Sequence, residues 1–216
     1  DKPVTALAAW QDAIYAVRDR VLCQLRESDL QAVTNAPAGF LRLYVLDGKM
    51  WCTTADALYL FEKRDCPASK VFDGKIVDMC IHNGVIHAAT RDDVFRWENE
   101  ALVNIQPKSG WLSSDTTVMM ADGSQVLVDP VRVGPIERIA SYNGTLYLLR
   151  PGGLTLLDGA TFVTDPVDWG AMPSRAHRDM RTLGSRLLIA TDRGIAVLRG
   201  AALTSLAGKD GLPCRA

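Results

Sequence analysis

The chain has 216 residues, of which 48% are hydrophobic and 23% are charged, and its formal net charge at pH 7 is −1. This balance is ordinary for a globular domain, and it provides no overall field that would attract nucleic acid or an anionic membrane surface. No stretch approaches the roughly 18 uninterrupted apolar residues that a membrane-spanning helix requires.

The first half of the chain reads as three successive groups of four short strands. Residues 5–33 contain the runs TALAAW, AIYAVR, VLCQLR and LQAVT; residues 40–72 contain LRLYVLD, KMWCTT, ALYLFE and SKVF; residues 75–106 contain IVDMCIHN, VIHAAT, DVFRWE and ALVNIQ. Runs of four to eight residues that are rich in Val, Ile, Tyr and Thr, and bounded by Gly, Asp and Asn, are typical of antiparallel strands. We therefore predict three four-stranded meanders.

The second half contains one irregular stretch and two further groups. The irregular stretch has a hairpin turn at Asp122-Gly123, but Pro130 and Pro135 cut it short, because proline cannot donate to an interior ladder. Residues 135–167 and 178–207 are regular again. We interpret the irregular stretch as a degenerate unit that lacks its outer strand.

The spacing of these groups predicts the fold. The end of the second strand falls at intervals of 36, 36, 39, 21 and 41 residues. Four-stranded sheets at about 40 residues per repeat are typical of β-propeller blades, whereas a β-sandwich would not need a fixed spacing. We predict an all-β, single-domain propeller of about six four-stranded units, the fourth degenerate. The predicted units are residues 4–37, 38–74, 75–107, 115–134, 135–174 and 175–213.

The last unit resembles the repeat of the two-component-regulator propeller family. Its sequence, LLIATDRGIAVLRGAALTSLAGKDGLP, matches the family pattern at nine positions, although Leu188 replaces an aromatic residue and Ala190 replaces a glycine. The resemblance implies a propeller of the kind found outside the cytoplasm in some sensor kinases. The matching positions are Ile189, Thr191, Asp192, Gly194, Gly200, Asp210, Gly211, Leu212 and Pro213.

Two further questions stay open at the level of sequence. The units could close a short ring, or they could form part of a larger propeller. The sequence shows no signal peptide and residue 1 is Asp, which fits either a processed secreted chain or a chain trimmed at its start. The resemblance favours a periplasmic or extracellular location.

The five cysteines indicate neither zinc binding nor a disulfide framework. None forms a C-x-x-C pair, and the odd count leaves at least one thiol unpaired in a monomer. Cys23, Cys52 and Cys80 lie in strand-like runs and are expected to be small buried hydrophobes. Cys66 and Cys214 lie in predicted loops and are the candidates for oxidation.

Candidate binding residues cluster in two kinds of predicted loop. In a propeller, the turns between second and third strands and the connections between blades share the upper face, where ligands usually gather. Arginine beside exposed tryptophan suits an anionic sugar or another carboxylate, because guanidinium supplies a bidentate fork and indole a flat apolar face. Taken singly, each of these residues is more often a solvated turn residue or a residue packed between blades. The predicted binding residues are Arg18, Arg91, Trp111, Arg150, Trp169 and Arg193.

No catalytic motif is present, so our main hypothesis is a non-catalytic propeller that binds a ligand or protein partner, or serves as a scaffold. The alternative is a lyase acting on an acidic, uronate-containing polysaccharide. In it, His177 would be the base, and Arg150 or Arg193 would neutralise the uronate. We predict no metal, cofactor or nucleic-acid partner. Expected partners are a protein, a small anionic or carbohydrate ligand, further blades, or a second copy of the chain.

Overall fold

The fold is known from a computed structural model that describes residues 2–64, 66–105, 117–119, 125–127, 135–151, 153–158, 161–164, 174, 176–200 and 202–206. In these residues it contains 22 strands and no helix, so the all-β prediction is confirmed. Accordingly, no helix in the described ranges is long and apolar enough to cross a membrane.

Twenty of the strands form five antiparallel four-stranded blades, and in each blade the strands follow one another in chain order. The first strands of successive blades lie next to one another and line the axis. The first blade comprises β1 (Val4–Trp10), β2 (Ala13–Arg18), β3 (Val21–Arg26) and β4 (Asp29–Ala32), and the second comprises β5 (Arg42–Leu46), β6 (Lys49–Thr53), β7 (Ala57–Phe61) and β8 (Ser69–Asp73).

The remaining blades have the same order. The third comprises β9 (Asp78–His82), β10 (Val85–Ala89), β11 (Val94–Glu98) and β12 (Ala101–Asn104). After the two-stranded hairpin β13 (Thr117–Met119) and β14 (Gln125–Leu127), the fourth blade comprises β15 (Arg138–Tyr142), β16 (Thr145–Arg150), β17 (Gly153–Asp158) and β18 (Thr161–Thr164). The fifth comprises β19 (His177–Leu183), β20 (Arg186–Thr191), β21 (Gly194–Arg199) and β22 (Ala202–Leu206).

The predicted number of four-stranded units, about six, is corrected to five, because the predicted fourth unit contains only the two-stranded β13–β14 hairpin in the described residues. Strand β15 packs directly against β9, and the backbone N–H of Ile139 donates a 3.1 Å hydrogen bond to Asp78 Oδ2. The third and fourth blades are therefore neighbours in the ring, and the hairpin does not separate their inner strands. The physical reason is the one visible in the sequence: the segment is about half a repeat long and is interrupted by proline.

The turns between first and second strands explain why the chain folds into meanders. Asn83-Gly84 and Asn143-Gly144 have positive φ at both residues, 49° and 77° in the first pair and 49° and 75° in the second. This is the conformation of a type I′ turn, whose twist matches that of the flanking strands, and Asn-Gly adopts it at low cost.

The turns between second and third strands use a recurring threonine. Thr54 Oγ1 accepts a hydrogen bond from Ala57 N at 2.9 Å, and Thr90 Oγ1 accepts one from Asp93 N at 2.9 Å. Thr191 Oγ1 accepts one from Arg193 N at 3.2 Å. The residues that recur at the repeat interval therefore include three that close turns, which is a local structural role.

Apolar side chains join the blades face to face through four clusters. One joins the first and second blades, the next joins the second and third, a third joins the third and fourth, and the last joins the fourth and fifth. No cluster of described residues joins the fifth blade back to the first. Within the described residues the five blades therefore follow one another along an arc, and no described blade packs against the outer face of the first or the fifth blade.

The cysteines follow the sequence prediction where the structure describes them. Cys23 and Cys52 are buried, Cys80 is half-buried, and the free thiol of Cys66 is exposed. Burial raises the pKa of Cys80 to about 12, so this thiol stays protonated at physiological pH. Cys214 lies outside the described residues. The domain and unit boundaries given above stay predictions.

Candidate functional site

The upper face is the end of the arc at which the first strand of each blade begins and the second strand ends. The strand register fixes this arrangement: Arg42 pairs with Thr53, and Arg138 pairs with Leu149. A cavity of about 600 Å³ opens here near the axis. Its lining comes from the second to fifth blades and the segments that enter them, and includes Leu41, Arg42, Thr53, Lys75, Ile76, Val77, Arg91, Pro135, Ile136, Glu137, Arg138, Leu149, His177 and Arg178.

The lining of this cavity, which we call the upper pocket, is strongly basic. Five of its side chains are cationic and only Glu137 is anionic, whereas the whole chain has a net charge of −1. The positive charge is therefore concentrated locally. The cationic residues are Arg42, Lys75, Arg91, Arg138 and Arg178.

Two of the arginines are held by the protein itself. Arg138 Nε donates to Asp179 Oδ1 at 3.0 Å, and its two terminal nitrogens donate to the carbonyls of Glu137 at 2.6 Å and Arg178 at 2.7 Å. Arg42 Nη1 donates to the carbonyl of Val77 at 3.0 Å. These guanidinium groups fix neighbouring strands to one another, and their charges are partly compensated by Asp179 beside Arg138 and by Asp78 beside Arg42.

The other three cationic side chains are available to a ligand. Lys75, Arg91 and Arg178 are exposed, and none makes a side-chain hydrogen bond or ion pair with the part of the chain that the structure describes. Guanidinium groups in this state can bind a carboxylate with two parallel hydrogen bonds, and ammonium adds a point charge.

His177 is the second polar feature that points to a ligand. Its side chain is only 2% exposed, and within the described part of the chain its Nδ1 has no hydrogen-bond partner, although Glu137 Oε2 lies 3.8 Å away. Burial lowers the pKa of His177 below its usual value, while the Glu137 carboxylate opposes that change. A buried nitrogen without a partner carries a desolvation cost that a bound hydrogen-bonding group would remove.

A buried carboxylate beneath the pocket positions its wall. Asp78 is fully buried; Tyr44 Oη donates to its Oδ1 at 3.1 Å, and Ile139 N donates to its Oδ2 at 3.1 Å. Arg181 Nη1 lies 3.6 Å and Arg42 Nη1 3.9 Å from Oδ1. Burial raises the pKa of Asp78, and the nearby arginines, Arg181 first, oppose that rise.

The charges at the start of the inner strands alternate around the axis. Each of four first strands has a charged residue at or near its start, and that residue pairs with the corresponding residue of the adjacent second strand. In the order β5, β9, β15 and β19, these residues are Arg42, Asp78, Arg138 and Asp179. Opposite charges at equivalent positions attract across neighbouring blades. This alternation ties together the strands that form the pocket.

The structure brings some of the predicted site residues together and separates others. Arg91 and His177 line the upper pocket, as does the neighbouring Arg178. Arg150 is buried and its Nε donates to Thr155 Oγ1 at 3.2 Å; burial lowers its pKa to about 10, while Asp92 opposes that change. Arg150 is not among the residues that line the pocket.

The remaining predicted residues lie elsewhere. Arg18 is exposed and its Nη2 donates to the carbonyl of Leu30 at 3.3 Å, and Arg193 is exposed in the β20–β21 turn. Neither lines the upper pocket. Trp111 and Trp169 lie outside the described residues. A binding role for these four residues stays a prediction, and neither Arg150 nor Arg193 lines the upper pocket beside His177.

Sequence reasoning missed Arg42, Lys75, Glu137, Arg138 and Asp78. The available signal was positional: each lies at the start of an observed first strand or one to three residues before it, where the chain enters the upper face. Charged residues in apolar runs such as IVDMCIHN were a further signal, because an unpaired buried carboxylate would be costly.

Comparisons with known proteins identify the fold but no family. No known protein family matches the sequence, and no curated protein matches it. Among solved structures, the chain is similar to the extracellular domain of the putative hybrid two-component system BT3049 from B. thetaiotaomicron. The similarity has 11% identity and a TM-score of 0.55, and covers 99% of this chain and 35% of that one.

Two other solved structures show the same similarity. The extracellular domain of the putative one-component system BT4673 from B. thetaiotaomicron has 12% identity and a TM-score of 0.50, with 90% of this chain and 32% of that chain covered. The computationally designed protein Ika8 has 9% identity and a TM-score of 0.55, with 93% and 60% covered. At these identities the likeness shows the fold alone, and the chain spans less than two thirds of each of these structures.

Proposed function

We propose that this chain is a non-catalytic propeller module that binds a small anionic ligand, such as an acidic sugar or another carboxylate, in the upper pocket. The observation that carries the proposal is the combination of five cationic side chains around one cavity with a buried imidazole nitrogen that has no hydrogen-bond partner among the residues that the structure describes. Convergent polar groups in a well-formed concavity are the usual features of a ligand site.

The cationic residues of the upper pocket form two groups with different roles in the proposed binding. Arg42 and Arg138 are already hydrogen-bonded to the protein and lie beside Asp78 and Asp179, so they would shape the pocket without losing conformational freedom. Arg91 and Arg178 would supply the direct hydrogen bonds. Ile76 and Ile136 are buried among the lining residues and form an apolar base to the pocket.

A sensing role outside the cytoplasm is part of the same proposal. Its support is the resemblance of the fifth blade to the two-component-regulator propeller repeat, together with a fold shared with two extracellular domains of regulatory systems. In such a role, the propeller would convert ligand occupancy into a contact with another domain or protein.

The lyase alternative has no comparable support. It needs His177 to act as a base beside Arg150 or Arg193, and those arginines do not line the pocket that contains His177.

The proposal is tested by calorimetric titration with a galacturonate trimer, using the matching neutral galactose trimer as control. We expect saturable 1:1 binding of the charged trimer only, with an affinity that falls as salt increases, because exposed charges are screened. The same mixtures should show no unsaturated, ultraviolet-absorbing product. Equal binding of both trimers, or product formation that His177→Ala abolishes, would contradict the proposal.

A further inference from the structure

A second cavity, of about 370 Å³, lies between the outer strands of the first blade and the β7–β8 loop of the second blade. Its walls come from β2, β3, β4, the segment that follows β4, and that loop. We call this cavity the side pocket, and no described residue lines both it and the upper pocket. Its polar lining includes Gln24, Arg26, Gln31, Asn35, Arg64 and Cys66.

The strand register places the first-blade side chains of the side pocket on one face. Tyr15 pairs with Gln24, and Gln24 pairs with Gln31, so these three residues form a row across β2, β3 and β4. Arg26 lies two residues beyond Gln24 on β3 and therefore on the same face. Tyr15 belongs to the apolar cluster that joins the first two blades, so this face is turned towards the second blade.

Gln24 is the feature that points to a ligand in the side pocket. The residue is only 5% exposed, and its Nε2 has no hydrogen-bond partner among the residues that the structure describes. Arg26 Nε donates to Gln24 Oε1 at 3.1 Å, which fixes the orientation of the amide and leaves its two N–H donors without an acceptor. A buried donor without a partner carries a desolvation cost. Because Gln24 lines the side pocket, an occupant that supplies an acceptor would remove that cost.

The charge of the side pocket points to an anionic occupant. Arg26 and Arg64 line it, and no acidic residue does so in the described part of the chain. The Arg64 guanidinium and the terminal nitrogens of Arg26 make no hydrogen bond or ion pair with described residues. The backbone N–H of Arg64 donates to Gln11 Oε1 at 3.0 Å, so the loop that carries this guanidinium is fixed to the first blade.

We propose that the side pocket is a second binding site, which takes the carboxylate end of a short peptide or of an N-acylated amino acid. Arg26 and Arg64 bind the carboxylate, and Gln24 Nε2 donates to the neighbouring amide carbonyl. A free amino acid fits less well, because its ammonium group would meet no carboxylate among the described lining residues. A sugar ring also fits less well, because the aromatic residue Tyr15 is only 3% exposed and offers little flat surface. The proposal goes beyond the proposed function, which concerns the upper pocket.

Cys66 provides a readout for the side pocket. Its free thiol is exposed and lines the pocket, so a bound ligand should shield it from iodoacetamide, which is a neutral reagent. Labelling of Cys66 in the full chain is followed by peptide mass spectrometry during titration with N-acetyl-dialanine. The labelling rate should fall in a saturable manner, at least about three-fold, because access to the thiol decides its reactivity. The C-terminal amide of the same peptide and glucuronate should leave the rate unchanged. Equal protection by either of these two compounds, or no protection by the acid at millimolar concentration, would overturn the proposal.

Substitution of Arg64 tests the charge requirement. Arg64→Ala keeps the backbone hydrogen bond to Gln11 and should raise the peptide concentration needed for protection at least about ten-fold, because hydrogen bonds to charged groups are strong. Lys63→Ala removes a neighbouring cation that does not line the pocket, and Arg178→Ala alters the upper pocket. Both controls should leave protection unchanged, so this proposal and the proposed function fail independently. Protection that survives Arg64→Ala would contradict the side-pocket site.

Substitution of Gln24 separates a binding role from a structural one. Gln24→Met should weaken protection at least about ten-fold without lowering the melting temperature, because an unpartnered buried donor is removed and Arg26, which loses its acceptor, is exposed to water. A lower melting temperature with unchanged protection would make the amide structural and overturn the proposal. Asp65 lies outside the described residues, and Asp65→Asn should change protection less than about two-fold. A ten-fold gain would mean that this carboxylate, rather than a ligand, belongs with the two arginines.

Discussion

Asp78 and Ile139 are joined by a 3.1 Å hydrogen bond between a fully buried carboxylate and a backbone amide 61 residues further along the chain. This bond connects the inner strands of the third and fourth blades across the segment that contains the β13–β14 hairpin. The residues adjacent to this bond, Val77 and Arg138, belong to the wall of the upper pocket. The Asp78 side chain therefore both joins two blades and positions the pocket.

Replacement of Asp78 by Asn should destabilise the fold substantially. The change removes the charge that faces Arg42 and Arg181, and it places an amide where either Tyr44 or Ile139 now donates. Breaking one side of a buried ionic network costs about 3 kcal/mol. Urea unfolding measures this loss. Tyr44→Phe, which removes one neutral donor, is the matched comparison and should cost only about 1 kcal/mol. Equal, small losses for both variants would mean that the carboxylate charge is not important for stability.

Removal of either available guanidinium from the upper pocket should weaken ligand binding. Arg91→Ala and Arg178→Ala should each reduce affinity for the galacturonate trimer by about ten-fold or more, since a hydrogen bond to a charged group is worth about 1.5–3 kcal/mol. Arg186→Ala removes an exposed arginine outside the pocket and should leave the affinity unchanged. If all three variants bind equally well, the ligand does not occupy this pocket.

Stability should fall as the pH is lowered from 7.5 to 5.5. Burial is the main cause that lowers the pKa of each of His82, His87 and His177 below the usual 6.5. The unfolded chain therefore takes up protons in this range more readily than the folded chain, and the folded state loses free energy relative to it as pH falls. At pH values above the pKa of histidine in the unfolded chain, the stability that depends on these three neutral imidazoles is retained in full.

The pH measurement is best made as a difference between two proteins. Asp78, whose pKa is raised by burial, contributes with the opposite sign at the acid end, because its carboxyl takes up a proton more readily when folded. The His177→Gln variant retains this contribution from Asp78. Subtracting the unfolding free energies of the variant from those of the parent protein therefore isolates the contribution of the His177 imidazole. The variant should lose less stability than the parent between the two pH values. An identical pH dependence in both proteins would rule out His177 as a source.

The sequence was sufficient for the strands and their order because the signals are local. Asn83-Gly84 specifies a type I′ turn through its own backbone preferences, and Thr90 closes the following turn through its hydroxyl. Such features recur along the chain without reference to distant residues. The short unit before Pro135 was also visible, but its exclusion from the ring depends on the contact between β9 and β15, which no local pattern encodes.

The site was only partly predictable because it depends on the curvature of the arc. Arg91 and Arg193 occupy similar turns, yet only Arg91 lines the upper pocket. Arg150 ends its strand as Arg18 does, but its guanidinium is buried, whereas Arg18 is exposed. Which of several equivalent arginines reaches the axis is decided by how blades stack, so residue type and repeat position alone cannot distinguish them.

The most direct test of the proposed ligand site is the imidazole nitrogen signal of His177, measured by NMR in ¹⁵N-histidine-labelled protein during titration with the galacturonate trimer. The chain has only three histidines, so His82 and His87 serve as internal references. We predict that the His177 nitrogen signals shift in a saturable manner as Nδ1 gains a partner, while the other two stay unchanged. Saturable binding that leaves the His177 signals unmoved would contradict the proposal that the upper pocket receives the ligand.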